Sequence, residues 1–148
     1  MKRFSILALL LVLLMACHRS SEVVVETDSR SVQVSSDFSN QRVMSIVQDT
    51  HGYIWIATYR GLNRLDGNQV HQYFCNDKPD GLPDDQVRNL HCDQQGRLWV
   101  VTKNGVAIYN EMDAFTHVNI PDRTLLSQNI AENSRGEIFL LMTGQVLR

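Results

Sequence analysis

Asp49-Thr50-His51-Gly52-Tyr53-Ile54-Trp55-Ile56-Ala57-Thr58 recurs 44 residues later as Asp93-Gln94-Gln95-Gly96-Arg97-Leu98-Trp99-Val100-Val101-Thr102. A worn third copy, Asn133-Ser134-Arg135-Gly136-Glu137-Ile138-Phe139-Leu140, follows 40 residues after the second. Such a period marks a repeat architecture, in which each unit buries its apolar face against the next. The register extends outward from the motif. Val43 matches Val87, Ile46 matches Leu90, Gly61 matches Gly105, Leu62 matches Val106 and Leu65 matches Tyr109. The third copy keeps Ile130, Asn133, Gly136, Ile138 and Phe139, then loses one residue, so that Gly144 stands in for Gly105.

Each unit reads as short β-strands. Val43 to Gln48 is apolar with a polar end, and Tyr53 to Thr58 is rich in aromatic and β-branched residues that suit a pleated, half-buried surface. Asp-x-x-Gly joins them as a tight hairpin: the Asp side chain accepts backbone N–H groups two residues on, and Gly tolerates positive φ. Gly61 to Leu65 is a third strand, Asp66-Gly67-Asn68 a second hairpin turn, and Val70 to Phe74 a fourth strand. In the second copy Gly105 to Tyr109 and Ala114 to Asn119 repeat the pattern. No segment after the leader shows a convincing helical apolar period.

The fold class expected is therefore all-β. Four antiparallel strands per 40 to 44 residues make a β-propeller blade, and this chain holds an incomplete ring of about three. Residues 37–80 form blade 1, 81–120 blade 2 and 121–148 a partial blade 3 without its fourth strand. Trp55, Trp99 and Phe139 occupy one repeat position, so they read as packing between adjacent blades rather than as ligand platforms. Asp49, Gly52, Thr58 and Gly61, with Asp93, Gly96, Thr102, Gly105 and Gly136, read likewise as framework.

Residues 1–17 read as a targeting segment. Lys2-Arg3 is a basic n-region and Phe4 to Ala16 a 13-residue apolar run, short for a membrane span but suited to a signal peptide. Its end, Leu14-Met15-Ala16-Cys17, resembles a bacterial lipobox, with Cys17 as the lipid attachment point. A plain cleaved signal and a retained anchor are the alternatives. All three deliver the chain across the inner membrane, so the expected location is periplasmic and membrane-associated, in a Gram-negative bacterium. Residues 18–36 read as a Ser-rich tether. Losing Lys2 and Arg3 with the leader leaves 12 basic residues against 16 acidic, a balance of −4. With no basic cluster, nucleic acid is not an expected partner. Cys75 and Cys92 are read as free thiols or as a disulfide, with nothing fixing their separation.

Chemistry-bearing motifs are missing. The five histidines are scattered, no Cys-x-x-Cys or His-x-x-x-His spacing occurs, and neither a nucleophile elbow nor a phosphate loop is present. No catalytic residue, metal site or cofactor is assigned. Asp84-Asp85 reads as a solvated loop pair.

The pattern Val43-x-x-Ile46-x-x-Asp49-x-x-Gly52-x-Ile54-Trp55-Ile56-Ala57-Thr58-x-x-Gly61-Leu62-Asn63-Arg64-x-Asp66-Gly67 resembles the two-component regulator propeller repeat. The lead-in segments Asp37 to Val43 and Gly81-Leu82-Pro83-Asp84-Asp85-Gln86-Val87 are similar to that family's usual Gly-Leu-Ser approach. The resemblance implies the periplasmic sensor half of a hybrid two-component histidine kinase. It implies further blades, a β-sandwich module, a transmembrane helix, kinase and receiver regions and a DNA-binding output domain, with a poly- or oligosaccharide-derived ligand. The partners it implies are thus the ligand, the remaining blades and the kinase region. Histidine kinase activity would lie in regions absent here, so this segment is expected to be non-catalytic. The chain departs from the family in lacking those regions and in carrying Cys17. Because a propeller closes with about four to eight blades, the chain is expected to be a piece of a longer sensor. The alternative is a short protein that closes a ring by oligomerising. A lipoprotein-anchored propeller acting as a protein-interaction scaffold is the second functional reading, and an exported propeller hydrolase or lyase has no motif behind it.

Alternating strand directions place the first and third turns of each blade on one face. The second turn and the connection between blades lie on the other. Binding residues concentrate on variable loops held by a rigid scaffold. The expected ligand contacts are therefore Tyr59 and Arg60 with Lys103 and Asn104, an aromatic face for stacking and donors for hydroxyl or acidic groups.

Overall fold

The computed structural model describes residues 38–67, 69–76, 78–120, 126–142 and 145–148. The leader with Cys17, the 18–36 tether and Gly144 lie outside the described residues. Eleven strands fall into three antiparallel sheets, each in simple sequence order, with no helix among the described residues and no closed ring. The first sheet comprises β1 (Val43–Gln48), β2 (Ile54–Thr58), β3 (Gly61–Asp66) and β4 (Gln69–Tyr73). The second comprises β5 (Val87–Cys92), β6 (Leu98–Thr102), β7 (Val106–Asn110) and β8 (Ala114–His117). The third holds β9 (Leu126–Glu132), β10 (Ile138–Met142) and β11 (Gln145–Leu147). The sheets approach one another along their first strands, β1 beside β5 and β5 beside β9. Successive four-stranded sheets arranged this way are propeller blades.

Strand edges differ slightly from the sequence reading. Tyr53, Phe74, Gly105, Val118 and Asn119 fall just outside the strands, a difference of one or two residues at element ends. The repeat reaches down to irregularities. Both β1 and β5 carry a bulge, between Val43 and Ser45 and between Val87 and Asn89.

Two cores result, one per pair of sheets. Trp55, Leu62, Leu82, Val87, Leu90, Val100 and Phe115 fill the first. Trp99, Val101, Val106, Ile120 and Leu140 fill the second. Trp55 is fully buried, and Trp99 is 8% exposed. Removing either ring would open a cavity costing about 3–5 kcal/mol. Phe139, in the third sheet, is half-buried.

Polar links stitch the inner strands. Ser45 donates to Asn89 Oδ1 at 3.1 Å, between β1 and β5. Glu132 of β9 accepts the Gln94 N–H and meets His91 Nε2 at 3.3 Å. The connection between blades is pinned as well. Asp85 accepts the Cys75 N–H, Asp84 accepts the Gln86 N–H and the Asn104 amide, and Phe115 donates to the Asp80 carbonyl. Asp84 and Asp85 thus hold the loop in shape. Cys75 is exposed and Cys92 half-buried, and no disulfide joins them.

Candidate functional site

The repeated turns are built identically. In each, the Gly N–H donates to the carbonyl of the leading Asp or Asn, and the glycine takes positive φ: 88° at Gly52, 80° at Gly96, 77° at Gly136. The Asp side chain does two jobs. One oxygen of Asp49 accepts the His51 and Tyr53 N–H groups, and the other accepts the Trp55 indole at 2.7 Å. Asp93 repeats this with Gln95, Arg97 and Trp99, and also takes the Arg97 guanidinium at 2.7 Å. Burial works to raise the Asp93 pKa, but the bonds from Trp99 and Arg97 outweigh it and hold the carboxyl below its usual value.

The third copy changes three residues together. Asn133 Oδ1 still accepts two turn N–H groups, but its amide now donates to Glu137 at 2.6 Å, and Phe139 has no indole to satisfy. Asp, Arg and Trp have become Asn, Glu and Phe. The hydrogen-bond polarity is reversed consistently, so the worn copy is a working alternative.

Thr58 and Thr102 close the second turns, each hydroxyl donating to the carbonyl of Gly61 or Gly105 at 2.8 Å. A Cβ on Gly61 would lie 2.9 Å from Ser39 Oγ, and one on Gly105 3.0 Å from Pro83. Both glycines admit the lead-in segment across the strand start. Buried Asn63 secures that segment, accepting from the Ser39 N–H and donating to its hydroxyl.

Tyr59, Arg60, Lys103 and Asn104 are all exposed, at the second-turn end of the first two sheets. The Tyr59 and Lys103 N–H groups bind the Arg42 and Gln86 carbonyls, again 44 residues apart. The Tyr59 ring carries the Arg42 guanidinium 4.9 Å above it, and Asn104 donates to Asp84 at 2.6 Å. None of the four lines either of the two clefts described next.

The larger cleft, about 770 Å³, lies at the opposite end, between the first two sheets. Asp49, His51, Tyr53 and Arg64 line it from one side, and Gln95, Arg97, Tyr109, Glu111, Met112 and Asp113 from the other. A smaller one, about 330 Å³, lies outward of it and shares Asp113. Between the two stands a cross-blade knot. Arg64 donates to the Tyr109 hydroxyl at 2.6 Å and to Asp113 Oδ1 at 3.0 Å. The Tyr73 and Tyr109 hydroxyls donate to the same oxygen at 2.6 and 2.7 Å. The Arg64 guanidinium lies 5.0 Å from the Tyr53 ring centre and 5.7 Å from that of Trp55, a cation over aromatic faces. Hydrogen bonds from Tyr73 and Tyr109 hold the Asp113 carboxyl below its usual pKa, while burial and the bond to Asp113 raise both tyrosines.

The sequence reading missed this knot. Asp66 pairs with Gln69 across the β3–β4 turn, whereas Asn110 pairs with Ala114 across the β7–β8 turn, one residue longer. Asp113 closes that longer turn at φ 57°, in the left-handed region that Asp tolerates better than most residues. Failure of the 44-residue register beyond Tyr109 was the available signal.

The comparisons follow this geometry. The two component regulator propeller family matches residues 37–60 and 81–104, each run extending from a lead-in segment through a second turn. No curated protein sequence matches. Solved structures do. The extracellular domain of a protein assigned as a hybrid two component system from B. thetaiotaomicron aligns with a TM-score of 0.62 at 23% identity, over 70% of this chain and 16% of that one. A second such domain from the same organism aligns at 0.61 and 22%, over 71% and 16%. Virginiamycin B lyase from Staphylococcus aureus aligns at 0.56 and 16%, over 68% and 34%. The present chain therefore spans about one sixth of the first two. At these identities the likeness to solved structures establishes the fold alone. Two stretches of the chain, one in each of the first two blades, are thus similar to the two component regulator propeller repeat.

Proposed function

We propose that the chain is a segment of an exported, non-catalytic sensor propeller of a two-component signal transduction system, responding to a poly- or oligosaccharide-derived ligand. The observation that carries this reading is the specific repeat match in the first two blades. The likeness to extracellular domains of hybrid two component systems supports it. The leader at 1–17 supports export, with Cys17 as lipid attachment point, and a location at the cell envelope facing the periplasm. The remaining blades and the kinase region are the partners this reading requires. No catalytic group has a role in it.

The test is a thermal-shift screen of oligosaccharides on the complete gene product. A ligand at a hundred times its Kd stabilises the fold by about 2.7 kcal/mol, so a saturable rise in Tm is expected for a subset of sugars. A screen without any shift would remove the ligand-sensing reading. Tyr59, Arg60, Lys103 and Asn104 are one proposed contact surface, and a Tyr59→Ala/Arg60→Ala variant with unchanged affinity would exclude that face.

A further inference from the structure

We propose that the cleft between the first two blades, at the Asp-x-x-Gly end, is a subsite for a neutral polyhydroxylated ligand, a saccharide, held by Gln95, Arg97 and Glu111 beside the Arg64–Tyr109 pair. The inference rests on the ligand-sensing reading above and places its contact on the face opposite Tyr59 and Arg60.

The argument begins with which polar groups in the cleft are already satisfied. Both oxygens of Asp49 are used by its own turn and by Trp55. Asp113 Oδ1 takes three donors. Arg97 uses Nε on Asp93 and leaves the outer edge of its guanidinium towards the cleft, where its side chain is 41% exposed. Glu111 has only His51, at 3.6 Å, and both are exposed. The unmet inventory is thus guanidinium N–H groups and an amide on one hand and a carboxylate on the other. A hydroxyl both donates and accepts, so a polyol can meet both kinds.

Charge then decides between neutral and anionic ligands. Arg64 and Arg97 face Asp49, Glu111 and Asp113 in the lining, with the Asp93 carboxylate directly behind Arg97. Negative groups outnumber positive ones, so a phosphate dianion or polyuronate meets net repulsion. An uncharged ligand meets none. The volume falls within the range of small-molecule sites, about 300–1,000 Å³.

Sequence supplies an independent mark. Asp49 and Gly96 in the cleft lining belong to the recurring framework, but the residues that would meet the ligand do not recur. Ile108 stands at the position of Arg64, Leu65 at that of Tyr109, Gly67 at that of Glu111, and Asp113 belongs to the longer turn of the second blade. The repeat alone does not demand them. Among the described residues only this pair of blades carries the set.

Titration calorimetry on the complete gene product tests the site, with neutral trisaccharides of gluco, xylo, manno and galacto configuration and trigalacturonate as the acidic counterpart. At least one neutral sugar is expected to bind saturably. The Gln95→Ala/Glu111→Gln variant, whose side chains are exposed, should melt like the wild type and bind about tenfold or more weakly. Wild-type affinity in the Gln95/Glu111 variant, or tighter binding of trigalacturonate, would overturn the proposal while leaving the sensor reading standing. Absence of any saccharide binding to the wild type would overturn both.

Discussion

Trp99 gives its indole proton to Asp93, and the same carboxylate takes the Arg97 guanidinium. Replacing Asp93 by Asn puts a donating amide in place of the oxygen that accepts from Trp99 and Arg97, so that donor faces donor. Denaturant unfolding should then show a loss of about 2–4 kcal/mol, since an unpaired buried donor costs about 1–3 kcal/mol. The third blade names the remedy. Asp93→Asn/Arg97→Glu/Trp99→Phe transplants the Asn133, Glu137 and Phe139 set and should recover at least half of the loss relative to Asp93→Asn alone. A triple variant no more stable than the single one would show that the three residues do not act as a unit. Titration adds a second prediction at this scale. Asp93 and Asp113 are held below the usual 3.8. Their stabilisation is therefore complete above that value and lost as pH falls towards the folded-state values. Tyr73 and Tyr109 are raised above 10.0, so their contribution is complete below it and lost as pH climbs past it. Urea midpoints measured from about pH 3 to about pH 11 should form a plateau with both limbs falling. Removing Tyr73 by Tyr73→Phe should flatten part of the alkaline limb.

Among the elements, the hairpins show what was legible in the chain. Asp-x-x-Gly, the β-branched strand after it and the recurring Gly predicted four-stranded units because each depends on contacts within a few residues. The Asp49–Trp55 bond was not legible. Six residues separate its partners, and only the finished hairpin brings them together. The Arg64 knot was further out of reach, its members lying 45 and 49 residues apart on two blades. An extra turn residue, not an apolar pattern, creates it. Tyr59, Arg60, Lys103 and Asn104 were picked as variable loop residues. The structure leaves them on an exposed end, with two of them already held by Arg42 and Asp84. Glycines separate local from tertiary constraint. Gly61 has φ 113° and a Cβ there would press on Ser39 and Phe74, whereas Gly67, at φ 55°, faces open space. Gly61→Ala should cost about 2–3 kcal/mol and Gly67→Ala about 1 kcal/mol, read from chemical denaturation. Equal costs would mean that the lead-in segment does not bear on β3.

For the whole molecule, the repeat explains an asymmetry in burial. Val87 and Leu90 are buried against the first sheet, while the matched Val43 and Ile46 are 44% and 62% exposed. Among the described residues no further sheet lies on that side of the first blade. The three sheets are consecutive propeller-like blades, and the fold alone assigns no chemistry to them. Sensor domains and a lyase share it, since function resides in sites placed on a fold rather than in the fold itself. As proposed above, this propeller binds its ligand and leaves it intact. The direct measurement is prolonged incubation of the complete gene product with each sugar that raises its Tm, followed by quantitative chromatography of the sugar. Saturable stabilisation with full recovery of the unaltered saccharide is the predicted result. Cleavage of the sugar in step with protein concentration would contradict it.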